Sequence, residues 1–232
     1  MKKIIILLMF TTVCLAQNLK PEDILDKVKE NFSKVNDYEV NVDIKVDVDF
    51  LKVPDAHATI YYKQPDQIRL KSEGFALLPK EGLNFSPYSF LKGDHTAVFD
   101  KEQEVDGHNC YQIKVIPLGD RGDLILTTLW IDKAEYIIRK IESTTKTNGT
   151  FSINLEYDDN LKYPLPSKMV FAFNVEKMQM PKGIAGDMDE GNNAKKESRD
   201  KSKTTTGKVY VNYSNYQVNI GIPDSIFRDD KK

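Results

Sequence analysis

The segment Tyr38–Phe50 reads "YEVNVDIKVDVDF". Tyr38, Val40, Val42, Ile44, Val46, Val48 and Phe50 alternate without a break with Glu39, Asn41, Asp43, Lys45, Asp47 and Asp49. Side chains on a strand point alternately to its two faces, so this segment predicts one long strand, apolar on one side and charged on the other. At about 3.3 Å per residue it would run roughly 40 Å, far beyond an ordinary strand. A face of that length must be covered by something, and the rest of the chain has to supply the cover.

One helix is predicted, over Lys20–Val35 ("KPEDILDKVKENFSKV"). Pro21 suits a first helical turn, Glu22 and Asp23 suit its positive end, and Ile24, Leu25, Val28, Phe32 and Val35 form one apolar stripe. Nearly everything after it predicts strand. Ala56–Lys63 and Gln67–Ser72 flank the turn signal "QPD", and His95–Asp100 and Asn109–Ile116 flank the hairpin pair Asp106-Gly107. Leu124–Ile131 and Tyr136–Thr144 follow. Phe151, Ile153, Leu155 and Tyr157 alternate with polar residues, as do Met169, Phe171, Phe173 and Val175, and Val209, Val211 and Tyr213. Short connections between successive strands imply an antiparallel meander of about ten strands.

Two segments break this pattern. Residues 180–206 contain "GIAGDMDEGNNAKKESRDKSKTTT", too polar and charge-rich to bury a core, and are expected to form a flexible insertion. Gly74–Leu91 ("GFALLPKEGLNFSPYSFL") is strongly apolar but has no strand or helix period, and Pro79, Gly82 and Pro87 punctuate it.

The 232 residues are 40% hydrophobic and 29% charged, which fits a single domain with an ample core. A formal charge of -2 does not point to nucleic acid. Lys2 and Lys3 before the short apolar run Ile4–Phe10 predict a signal peptide over 1–16, with cleavage after Cys14-Leu15-Ala16. Lipidation of Cys14 is the alternative, disfavoured by Val13 before it. Cleavage leaves Cys110 alone, so no internal disulfide is expected. The expected product is a soluble, monomeric periplasmic protein, a single domain over 17–232.

A ten-stranded antiparallel sheet twists and curls, and one apolar face needs a cover. A helix of sixteen residues is about 24 Å long and covers only part of it. The expected fold class is therefore mainly β: a strongly curved antiparallel sheet, an incomplete β-barrel, around an N-terminal helix and a hydrophobic cavity. Gly74–Leu91 is the candidate lid. The expected acyl-binding residues are Val40, Val42, Ile44 and Val46 on the first strand, Phe75, Leu77, Leu78, Leu83, Phe85, Tyr88 and Phe90 on the lid, and Trp130. Arg69 is a candidate polar contact. Burial of an alkyl chain gains about 0.8 kcal/mol per methylene, so such a cavity needs few polar groups.

The order of elements resembles the LolA-type periplasmic carriers of outer-membrane lipoproteins. "YYKQPDQIRLKS" (Tyr61–Ser72), "LWIDKAEYIIRKIE" (Leu129–Glu142) and "NIGIPDSIF" (Asn219–Phe227) carry the likeness, each short. The resemblance implies an incomplete barrel lidded by helices and the transfer of lipoproteins, held by their acyl chains, from an inner-membrane transporter to an outer-membrane acceptor. In that family an arginine directly before the proline holds the lid; here the position is Gln64. The alternative function is an envelope interaction or sensor module with a packed interior and a protein partner.

Other chemistry is thin. His108 and Cys110 share a strand face, but two ligands do not make a metal site. Neither the acidic side chains of the first strand nor "GDMDEGNN" has the spacing of a calcium loop. No acid, base and nucleophile come together in the sequence, so neither an enzyme nor a cofactor is expected.

Overall fold

In the structure, a computed structural model, the described residues are 20–48, 54–72, 91, 93–119, 123–158, 162–174 and 206–228. The signal segment, the insertion up to residue 205 and the lid segment apart from Leu91 lie outside them.

The alternation beginning at Tyr38 becomes β1 (Asp37–Asp47), in which Val40, Val42 and Ile44 are buried between exposed Asn41, Asp43 and Lys45. The predicted end of that strand, Asp49 and Phe50, lies outside the described residues. The helix α1 (Pro21–Ser33) starts with its proline in the first turn and buries Ile24, Leu25, Val28 and Phe32. The hairpins follow: β2 (Ala56–Lys63) with β3 (Gln67–Ser72), and β4 (His95–Val105) with β5 (His108–Pro117). Asp106 and Gly107 take φ 48° and 82°, the two left-handed residues of a two-residue hairpin turn. The meander continues through β6 (Leu124–Asp132), β7 (Ile138–Thr145), β8 (Gly149–Glu156) and β9 (Lys168–Asn174) to β10 (Thr206–Val218), and a short 3-10 turn occupies Asp224–Phe227.

All ten strands form one antiparallel sheet in the order β3-β2-β1-β10-β9-β8-β7-β6-β5-β4. β10 returns beside β1, so the first and last strands pair inside the sheet, third and fourth from the β3 edge. The edges, β3 and β4, are consecutive in the chain and do not pair with each other. The sheet is open, not a closed barrel.

Two neighbouring helix residues show how strongly the sheet bends. The Asn31 amide donates to the Glu135 carbonyl in the β6–β7 turn, while the Phe32 ring meets Tyr62 of β2 with centroids 5.6 Å apart. β2 and β7 are five places apart in the sheet, about 24 Å if it were flat at ~4.8 Å per strand. Adjacent side chains of one helix reach both only if the sheet curls around it. The core lies on this inner face, and α1 is part of it.

Candidate functional site

The inner face is read from the register. Phe99 of β4 pairs with Ile113, Ile113 with Leu129, Leu129 with Ile141, and Ile141 with Ile153. Ile153 pairs with Phe171, Phe171 with Val209, and Val209 with Val46 of β1. This apolar row crosses eight strands. Its interior members, Ile113 to Val209, are all no more than 2% exposed, and its two ends, Phe99 and Val46, are not buried. One step further from the helix lies a second row: Ala97, Val115, Thr127, Ser143, Phe151, Phe173 and Gly207. Gly207 is required there by a close approach. A Cβ at that position would stand 2.6 Å from Phe173 Cζ and 3.0 Å from Val48 Cγ2.

The helix end of the sheet is filled. Tyr38 stacks on Tyr62 at 5.0 Å and meets the edge of Tyr216 at 5.6 Å, and Tyr216 stacks on Tyr213 at 6.1 Å. The Tyr216 hydroxyl donates to the Pro166 carbonyl and that of Tyr62 to the Pro65 carbonyl. Burial pushes the phenols of Tyr38, Tyr213 and Tyr216 well above their ordinary value, so they remain neutral. Gln64 ties the helix to this end. Its amide donates to the carbonyls of Ser33 (3.0 Å) and Val35 (2.8 Å), which a helix C-terminus leaves without internal partners. Gln64 thus holds a helix end.

The segment after β10, Asn219–Phe227, is tied down by Asp37, only 5% exposed. Its carboxylate accepts from the amides of Ile220 and Gly221 at 2.8 and 3.1 Å. Arg69 donates to the Arg228 carbonyl at 2.8 Å, bracing β3 against the same segment. Its strand partner Tyr61 lies between Ile60 and Tyr62, so alternation places Arg69 on the outer face, away from the apolar wall.

Among the expected site residues, Val40, Val42, Ile44 and Val46 lie on the inner face with the core. Trp130 does not. Leu129 and Ile131 face inward, so Trp130 faces outward, where Lys140 Nζ sits 4.6 Å from its ring centroid and Gln103 accepts from its indole at 3.4 Å. "LILTTLWI" has no alternation from which its inner face could be read. Phe75, Leu77, Leu78, Leu83, Phe85, Tyr88 and Phe90 lie outside the described residues. Leu91, at the end of that segment, is 5% exposed within the core. Ile113, Leu129, Ile141, Ile153, Phe171 and Val209 were not among the expected wall residues. The alternation in β8, β9 and β10 carried the signal for half of them.

His108 and Cys110 have other partners. His108 Nδ1 is 3.1 Å from the Asp132 carboxylate, and the Cys110 thiol, pushed up to about 11 mainly by burial, donates to the His108 carbonyl. Asp132 also accepts from the amides of Ala134 and Glu135 and from Arg139. Burial raises its carboxyl and these donors outweigh it, leaving Asp132 below the usual 3.8. No group of three or more histidine, cysteine, aspartate or glutamate side chains among the described residues could hold a metal. A cleft of about 180 Å³ beside the helix C-terminus is lined by Lys34, Glu135, Asp158 and Lys162, a polar setting smaller than ligand pockets of about 300–1,000 Å³. No helix among the described residues is long and apolar enough to cross a membrane.

No protein-family model matches the sequence, and no curated protein matches it. Solved structures do match the fold. A LolA superfamily protein from Nitrosomonas europaea superposes with a TM-score of 0.59 at 13% identity, covering 90% of this chain and 98% of its own. A DUF1329 family protein from Desulfovibrio piger gives 0.57, and an outer membrane lipoprotein-sorting protein domain from Vibrio parahaemolyticus gives 0.54. Both of these are 13% identical and cover 90% of this chain and 97% of their own. The superposition over nearly the whole chain makes the fold of this chain, one open ten-stranded sheet curled about a helix, LolA-like.

Proposed function

We propose that this protein is a periplasmic carrier that takes the acyl chains of lipoproteins or lipids against its inner apolar wall and moves them toward the outer membrane. The observation that supports this best is the unbroken apolar row from Phe99 to Val46 across eight strands. Acyl chains need length and apolar area rather than specific polar contacts, and that row offers both. The helix and tyrosines fill one end, so cargo enters from the end that carries Val48, Phe173 and Val115. We assign the apolar side chains of 74–91 as further acyl contacts, because that segment joins the two sheet edges. The sorting domain from Vibrio parahaemolyticus shares the fold, and we extend its named process, lipoprotein sorting, to this chain. An inner-membrane transporter as donor and an outer-membrane acceptor complete the route.

The near-complete burial of that row's interior members, Ile113 to Val209, favours a second reading, an envelope interaction module whose interior is permanently filled. Mass spectrometry of solvent extracts from the protein purified out of a bacterial periplasm separates the two. Co-purified acyl lipid, and displacement of a fluorescent fatty-acid probe by it, is the expected result. Protein that carries no lipid and binds no probe refutes the carrier.

A further inference from the structure

The second inner row contains one polar interruption. Thr127 of β6 and Ser143 of β7 are directly opposite each other, between Val115 and Phe151. Both are 0% exposed. Their hydroxyl oxygens are 2.9 Å apart, and among the described residues this is the one hydrogen bond that either side chain makes. Two hydroxyls carry two protons and only one is used by a bond between them. The other O–H has no acceptor among the described residues. Leaving a buried donor unmatched is unfavourable, whereas valine and alanine would fill the same space without a polar group.

We propose that the spare hydroxyl proton of Thr127–Ser143 is the polar anchor for acyl cargo, donated to the carbonyl oxygen of an ester or amide linkage. This deepens the carrier reading and rests on it. The chemistry follows from the surroundings. The pair offers a neutral donor in an apolar wall, so its partner is a neutral acceptor attached to hydrocarbon. A carboxylate or phosphate would bring an unpaired charge into a wall with no cation among its described residues. An alkyl chain without a carbonyl would leave the proton unmatched. The pair meets cargo only when cargo replaces what now covers the row. It then fixes how deep the chains sit, which apolar contacts alone do not.

The test compares a dipalmitoyl glycerol ester with its dihexadecyl ether analogue, which lacks the carbonyls, in displacement of a fluorescent acyl probe from the full mature chain. Wild type is expected to prefer the ester by about five- to tenfold, the range of one neutral hydrogen bond. The double variant Thr127→Val with Ser143→Ala keeps the shape of the wall; it should bind the ether as before and lose the preference. Ser143→Ala alone leaves the Thr127 hydroxyl free to donate and should retain it, which covers the case of a double variant that does not fold. Equal binding of ester and ether by wild type overturns this anchor and leaves the carrier standing. A preference that survives in the double variant also overturns it. Wild type that binds neither lipid overturns the carrier reading itself.

Discussion

Single residues in this protein are decided by what the opposite strand leaves free. Gly207 sits on β10 among residues that would suit any strand former, and nothing in "KTTTGKVYV" marks it as special. Its neighbour across the ladder is Phe173, whose ring occupies the place of the missing side chain. Gly207→Ala should therefore force the ring and Val48 aside and lower stability by about 1–3 kcal/mol, as overpacking does. Urea denaturation with tryptophan or circular-dichroism detection reads this directly, and an unchanged midpoint would mean that the ring moves freely. Trp130 teaches the converse. Its size suggests a wall residue, but facing outward it packs under Lys140, and a continuous apolar run carries no phase from which that could be read.

At the level of elements, the helix and the β2–β3 hairpin depend on each other. "QPD" is a turn signal, and β2 and β3 fall where the composition on either side of it predicts. That Gln64 also caps the helix is a tertiary event, since Ser33 and Val35 lie about thirty residues before it. Gln64→Ala leaves the turn chemistry intact and removes two donors from the helix C-terminus. A loss of about 1–2 kcal/mol in stability is expected, with faster amide hydrogen exchange confined to α1 and the segment around Val35. Uniform loss of protection would argue that Gln64 supports the hairpin rather than the helix.

For the whole molecule, acid stability gives a reading of the tie between β5, β6 and β7. Asp132 is held below 3.8 in the folded protein, so the unfolded chain takes up its proton first as the pH falls. The stabilisation is complete above the unfolded value and is lost as the pH drops through the folded one. Asp132→Asn removes this term. The difference in urea midpoint between wild type and variant should be constant near pH 6 and shrink below about pH 4. A difference that is unchanged at pH 3 would place the stabilising charge elsewhere. The same scale decides the wall. Each strand alone shows only its own few inward apolar residues; pairing in register lines them up into a row eight strands wide.

Much was legible before any fold was known, because it follows from periods set by the local backbone. Alternation with period two marks β1, β8, β9 and β10, and the 3.6 period marks α1. Asp106-Gly107 marks its turn because left-handed φ excludes most other residues. Side-chain order along one chain says nothing about distance across the sheet, and that is where the structure alone speaks. It brought Thr127 beside Ser143, Gln64 under the helix, and Gly207 against Phe173. These contacts join residues separated in sequence by 16 to about 34 positions, and only strand register and the curl of the sheet bring them together.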